Sequence, residues 1–287
     1  EVTLEGDLER SAATLRWGKS EFQVMGMAPE QFPVRPEMQG PRFRLEQRVL
    51  REAVRQTAFA ISHDETRPVL TGALMRFSAG QIQLVATDGF RLAYRRVEAQ
   101  GVGEAGTLDV LVPGRAMSEL GRLLRDEGQA PVTVTVAENQ VLFDMGAARL
   151  FTRQVEGQFP NYEKVLPRAY QTRIRVDGGA LHDACERAAL ISRDGTNAVK
   201  LSVGRDAVSV SSRSPEVGHV HEELEVSMEG EPLEIAFNAR YLMEGLRAAP
   251  PGEVVFEAGG ALSPCRLRGP EGEEFFYILL PLRPTGE

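Results

Sequence analysis

The chain has 287 residues, of which 42% are hydrophobic and 26% charged, and its formal net charge is −8. Such a composition builds ordinary soluble cores, the length suggests two or three domains, and the longest apolar stretches are strand length, which argues against a membrane-spanning helix. An acidic chain does not bind nucleic acid through its whole surface, so any DNA contact requires positive charge gathered in one place.

The opening residues read directly as strands rather than as a signal peptide. Residues 1–30 form a meander pattern: Val2-Thr3-Leu4, Ala13-Thr14-Leu15-Arg16 and Phe22-Gln23-Val24, closing on Gln31-Phe32-Pro33. Pro33, Pro36, Gly40 and Pro41 mark a linker. Residues 44–60 read as an amphipathic helix. At about 100° per residue, Arg44, Arg48, Arg51 and Arg55 share a narrow arc, opposite Leu45, Val49, Leu50, Ala53 and Val54. On a lone helix such a stripe is ordinarily a solvated face. On an acidic chain it looks like a phosphate-facing surface, and with no base-reading motif beside it the contact would be indifferent to sequence.

Strand patterns follow at 72–77, 82–86, 91–94 and 108–112, and Pro113-Gly114 leads into a helix to about 126. A second meander spans 131–154 and closes on Gln158-Phe159-Pro160, repeating the earlier word; Pro160 and Pro167 bound the next linker. The order then recurs. A helix covers about 179–192, with strands at Val199–Val203, Ala207–Ser211, Val220–Val226 and Leu233–Phe237. Asn238 is a good N-cap for a helix to about 248. A third meander runs through Val254-Val255-Phe256, Cys265-Arg266-Leu267 and Phe276–Pro281. Three like blocks mean an array of one fold. Each full unit is helix, strands, helix, strands, which predicts α+β domains with helices gathered on one face of antiparallel sheets. The expected divisions are 1–40, 41–167 and 168–287, with the front of the first module absent from the chain.

Other motifs carry little chemistry. Gly101-x-Gly103-x-x-Gly106 matches a dinucleotide fingerprint by letter, but strand-like Leu108–Val112 follows where a helix is required, so it reads as a loop. His219 and His221 share one side of a strand without further ligands nearby in sequence. Asp88-Gly89 reads as a hairpin turn, and Leu70, Phe90 and Leu92 around it suit either a core or a groove. Cys185 and Cys265 read as free thiols in a reducing cytoplasm. There is no P-loop or nucleophile elbow. A protein-binding scaffold, a nucleic-acid enzyme using Asp88, His63 and Glu65, and a small-molecule binder are the readings these residues leave open.

Five strings taken together go further: Thr66–Gly72, Val85–Ala93, Phe159–Pro167, Phe237–Leu242 and Tyr277–Arg283. They resemble, in order along the chain, the bacterial sliding clamp, the β subunit of DNA polymerase III. The resemblance implies three similar domains per subunit, two subunits closed head to tail around duplex DNA, helices lining the hole and sheets outside. It implies a non-catalytic replication protein of the cytoplasm, with no cofactor and no metal, whose partners are duplex DNA, the replicative polymerase, the clamp loader and other clamp-motif proteins.

Carried over residue by residue, the DNA-facing candidates are Arg48, Arg51, Arg55, Arg67, Arg115, Arg122, Arg187 and Arg240. A peptide pocket between the last two domains would use Leu70, Thr87, Gly89, Phe90, Arg91, Leu92, Pro160, Lys164 and Val165. The last domain would add Asn238, Tyr241, Leu262, Pro264, Ile278, Leu279, Leu280, Pro281 and Leu282. An apolar cleft with a polar rim suits short linear motifs ending in Leu and Phe. Phe90 stands where the family often has His, Lys164 where Arg is common, and Pro68 and Val69 where some members carry aromatics. The ring interface would set Phe22 and Val24 against Leu190 and Ile191 of the other subunit, with Lys19 near Glu216 and Glu222.

Overall fold

The structure is a computed structural model that describes residues 1–31, 38–78, 80–102, 106–126, 130–167, 169–192 and 197–283. The Phe32-Pro33 corner, Pro36 and Gly103 lie outside the described residues. The chain divides into two units, Glu1–Met38 and Gln39–Glu287. In the first, strands β1 (Thr3–Asp7), β2 (Ala12–Trp17) and β3 (Ser20–Met25) form an antiparallel meander. Leu4, Leu15 and Phe22 stand opposite one another across it, and Trp17 stacks on Phe22 with ring centroids 5.0 Å apart.

The second unit is a module used twice. Its first half contains β4 (Arg42–Glu46), α1 (Gln47–Thr57), β5 (Gly72–Ser78), β6 (Gln81–Thr87), β7 (Arg91–Glu98), β8 (Gln100–Val102), β9 (Leu108–Pro113), α2 (Gly114–Leu123), β10 (Pro131–Val136), β11 (Gln140–Asp144) and β12 (Arg149–Arg153). The second half follows the same order: β13 (Thr172–Asp177), α3 (Gly178–Ile191), β14 (Ala198–Val203), β15 (Ala207–Ser214), β16 (Gly218–Glu225), β17 (Ser227–Gly230), β18 (Leu233–Asn238), α4 (Ala239–Ala248), β19 (Glu253–Ala258), β20 (Cys265–Arg268) and β21 (Phe275–Leu279).

The sheets repeat as well. The five-stranded order β12-β11-β10-β4-β8 returns as β21-β20-β19-β13-β17, and β7-β6-β5-β9 returns as β16-β15-β14-β18. The halves are welded by antiparallel pairing of β21 on β7, with Ile278 opposite Leu92, which makes one nine-stranded sheet.

Alternation decides which side of that sheet each residue serves. Ala93, Val97, Phe275, Tyr277 and Leu279 join the main core, with α1 and α2 in the first half and α3 and α4 in the second. Gly245 of α4 is required there, because a Cβ at that position would run into the Tyr277 ring. On the reverse side Leu74, Val85, Leu92, Tyr94, Leu111, Phe276 and Ile278 make a second apolar cluster, covered in part by Tyr162. Beyond Ile278 this outward face turns charged. Glu257 is 3% exposed and accepts hydrogen bonds from Arg173 at 3.1 Å, Arg266 at 2.7 Å and Arg268 at 3.2 Å. Burial alone would raise the Glu257 pKa; the guanidinium donors of Arg266 and Arg268 outweigh it and hold the carboxyl below its usual value.

Several elements differ from the sequence expectation. The helix expected from residue 44 begins at Gln47, because Phe43 and Leu45 are buried as alternate residues of β4, paired to β10. Arg44 therefore lies on a strand, and the helical stripe keeps only Arg48, Arg51 and Arg55. The second helix ends at Leu123 rather than near 126, and β8, β13 and β17 were not foreseen as strands. Gly101 lies within β8, with strand β9 next in order, so no helix N-terminus follows it.

Both cysteines are free and buried; burial pushes the Cys185 thiol up to about 12 and raises that of Cys265 too. Neither should react with a thiol reagent in the native protein at neutral pH, and both should react after unfolding. Rapid stoichiometric labelling of either in the native state would contradict the burial.

Candidate functional site

The turn between β6 and β7 is built around Asp88-Gly89. Gly89 takes φ +94°, a conformation side chains resist, and Asp88 Oδ1 accepts from the amides of Phe90 (2.9 Å) and Arg91 (3.1 Å). Thr87 Oγ1 accepts from Gly89 N (3.1 Å) and donates to the Arg91 carbonyl (2.6 Å). This geometry pushes the Phe90 ring outward, where it is 58% exposed. It also commits Asp88 to the turn and, through Oδ2, to the Arg91 guanidinium at 3.0 Å. An enzyme site using Asp88 with His63 and Glu65 is not assembled from that carboxylate.

Arg91 faces the helix side of the sheet and is 6% exposed. Its guanidinium bonds Asp88 and Glu244 of α4, donates to the Phe59 carbonyl at 2.8 Å, and lies over the Tyr241 ring at 4.3 Å. Burial opposes its charge, but Tyr277, Glu244 and Asp88 raise its pKa above the ordinary value. Arg91 thus ties the first half of the module pair to the second. Glu244 and Phe59 were missed from sequence. Glu244 reads as the partner of Arg240 one turn earlier, which it also is, at 2.9 Å.

The remaining pocket candidates sort by depth. Leu70, Leu92 and Ile278 are buried, with Leu92 and Ile278 on the outward face; Leu279 is buried on the opposite, helix face beside Tyr277. Phe90, Val165, Leu262 and Leu280 are large apolar side chains left exposed, and Gly89, Pro160 and Lys164 are exposed with them. Thr87, Asn238, Tyr241, Pro264, Pro281 and Leu282 are half-buried. The backbone joins several of them. Leu280 N donates to the Phe90 carbonyl at 2.9 Å, and Leu282 N to the Ala236 carbonyl at 2.8 Å. Asn238 caps α4 by accepting from Tyr241 N at 3.3 Å. The result is an apolar floor of Leu92 and Ile278 at the β7–β21 weld, with Phe90 and Leu280 joined through the backbone beside it, a surface whose chemistry suits an extended apolar peptide.

The arginine candidates lie on or near the helices. Arg48 is 65% exposed and 3.9 Å from Glu46, Arg51 pairs with Asp126, Arg67 with Asp64 at 3.0 Å, and Arg122 with Glu119 at 2.7 Å. Arg187 forms two 2.7 Å bonds to Glu222, so a DNA candidate and an interface candidate satisfy each other. Arg115 has no carboxylate partner among the described residues. Exposed pairs of this kind are screened by solvent, contribute little to stability and open readily to a phosphate. Arg55 is different. It pairs with Glu52 and also donates to the Arg247 (2.8 Å) and Ala248 (3.2 Å) carbonyls, while Gln56 donates to Ala248 at 3.0 Å. These are unsatisfied carbonyls at the negative end of α4, so Arg55 serves as a helix cap across the two halves.

Of the interface candidates, Phe22 and Val24 are 56% and 53% exposed on β3, and Leu190 is 53% exposed at the end of α3. Ile191 and Glu222 are half-buried, and Lys19 and Glu216 are exposed in turns.

Comparison with known proteins places these features in one family. The family descriptions "DNA polymerase III beta subunit, central domain" and "C-terminal domain" match residues 44–161 and 163–283. The beta sliding clamps of Staphylococcus aureus and Staphylococcus epidermidis are 36% identical over 269 residues, covering 93% of this chain and 71% of theirs. The sliding clamp of Bacillus subtilis superposes with a TM-score of 0.92 at 32% identity, covering 98% of this chain and 74% of that one. A Bartonella birtlesii clamp bound to griselimycin gives 0.88 at 31% identity, covering 98% and 76%. With antiparallel sheets, paired helices and a repeated module in common, the chain belongs to the beta subunit family of DNA polymerase III, the bacterial sliding clamps.

Proposed function

We propose that this DNA sliding clamp holds duplex DNA by enclosing it in a ring of two subunits joined head to tail, and tethers the replicative polymerase, the clamp loader and other clamp-motif proteins through the apolar pocket at the β7–β21 weld. It performs no chemistry of its own and works in the cytoplasm, at the replisome. The observation that supports the ring is the weld itself. The last strand of the second half pairs with β7 of the first, and Phe59, just past α1, packs on Tyr277 of β21 at 5.6 Å. The strands in the corresponding places, β3 and β16, each end their sheets without a neighbour among the described residues. Leu190 is as far past the start of α3 as Phe59 is past the start of α1. One contact scheme, used within the chain, therefore extends to β3 of one subunit on β16 and α3 of another.

On this reading the modules divide at 1–40, 41–167 and 168–287. Arg48, Arg51, Arg67, Arg115, Arg122, Arg187 and Arg240 face phosphates and exchange their carboxylate partners for them, while Arg55 stays a strut. Retention comes from topology, and loose phosphate attraction without base contacts permits sliding. The acidic remainder of the surface limits stray DNA contacts. Loaded onto nicked circular DNA, the protein should stay bound through gel filtration in moderate salt and run off when the circle is cut. Equal loss from circles and linear DNA would remove enclosure from the account.

A further inference from the structure

We propose that a cleft beside the pocket is a second subsite, which takes a basic flank of the same peptide whose apolar core fills the pocket; it rests on the pocket reading above. The cleft has a volume of about 670 Å³ and lies on the outward face of the first half, between β5, β9 and the segment 157–163. Its floor is Leu74 and Leu111, which belong to the same apolar cluster as Leu92 and Ile278 under the pocket. Pro160 lines the cleft and is also among the pocket candidates, and Phe159 beside it packs on the shared apolar cluster, so cleft and proposed pocket adjoin along that cluster.

The charge at the mouth selects the flank. Arg76 is 28% exposed and held two-pronged by Asp109, with Nε–Oδ1 at 2.8 Å and Nη2–Oδ2 at 2.9 Å. Arg76 Nη1 also donates to Glu163, 64% exposed, at 3.5 Å, so one guanidinium is shared by two carboxylates and the mouth keeps a net negative charge on the Glu163 side. A Lys or Arg of the incoming peptide takes up the Glu163 carboxylate, while an acidic residue there meets two carboxylates. Specificity of this kind comes from placing like charge against the wrong ligand as much as from attracting the right one.

The test is fluorescence polarisation on the full chain, with a labelled apolar peptide ending in Leu-Phe. A Lys-Arg, Gly-Ser or Glu-Asp pair is appended to either end in turn. At one end, Lys-Arg should tighten binding about threefold over Gly-Ser and Glu-Asp should weaken it by a similar factor, the size expected of a partly exposed ion pair. Glu163→Gln should erase both differences and leave the Gly-Ser peptide unchanged, and high salt should erase them in the wild type. A flank preference that survives Glu163→Gln, or none at either end, overturns the second subsite while the pocket stands. A core peptide that fails to bind, or binds Phe90→Ala/Leu280→Ala as tightly as the wild type, overturns the pocket and the subsite with it.

Discussion

Arg91→Ala should destabilise the larger unit by about 3 kcal/mol, more than any exposed arginine replacement in the chain. Removing one partner of a buried ion pair typically costs about 3–5 kcal/mol, because the other charge is left in low dielectric. Here the figure falls at the low end for a structural reason. Glu244 keeps Arg240, and Asp88 keeps the Phe90 and Arg91 amides. What is lost without replacement is the bond to the Phe59 carbonyl, the stacking on Tyr241 and the tie between β7 and α4. Arg91→Lys should recover only a minor part, since an ammonium restores the charge but neither the planar stack nor the fork of donors. The measurement is urea unfolding followed by far-UV circular dichroism. Tryptophan emission is unsuitable because the one tryptophan, Trp17, is in the small unit. A midpoint for Arg91→Ala shifted by less than 1 kcal/mol equivalent, roughly the worth of a surface pair, would show that the hub is incidental. The pocket should weaken in parallel, because Phe90 and Leu92 are positioned from either side of Arg91.

The residues that the sequence reveals most plainly are those whose pattern is local. Val and Thr alternate along β10, Asn238 announces the start of α4, and the recurring Gln-Phe-Pro word follows the first two meanders. β4 was hidden because Leu45 fits the apolar side of a helix as well as the inner face of a strand. The choice between them rests on β10, far along the chain, whose Val134 pairs with Phe43. β13 is missing from the expected strands although Thr172, Ile174 and Val176 alternate with polar residues as a half-buried strand does; it pairs with β19, Ile174 opposite Phe256. Long-range pairing decides between two local readings only in β4. The site divides along the same line. Exposed apolar Phe90, Val165 and Leu280 stand in strings that carry the family resemblance, whereas Leu262 lies outside them. The inward turn of Arg91 depends on the Glu244 side chain and the recruitment of Arg55 on carbonyls at the end of α4, all more than a hundred residues away in sequence and without a local signature. A positive charge on a helix is readily mistaken for a ligand contact when its partner is a backbone carbonyl.

Leu190→Ala combined with Ile191→Ala should convert the protein to monomers at concentrations where the wild type sediments as a dimer. Leu190 is 53% exposed in the isolated subunit, so an alanine there removes little that the subunit's own core uses. Its counterpart Phe59, by contrast, is half-buried against Tyr277 at the weld within the chain. Central apolar anchors of an interface commonly contribute about 2 kcal/mol or more each. Losing two should raise the dimer dissociation constant by two to three orders of magnitude, at about 1.4 kcal/mol per decade. Phe22→Ala on β3 should act through the same joint from the other side. Combined with Leu190→Ala it should cost less than the two changes added, as contacting residues do in a double-mutant cycle. Circular dichroism must show both variants folded, and retention on circular DNA should disappear with the dimer. A double mutant that sediments like the wild type, or strict additivity between Phe22 and Leu190, would move the joint elsewhere and leave the repeated contact scheme confined to the inside of one chain.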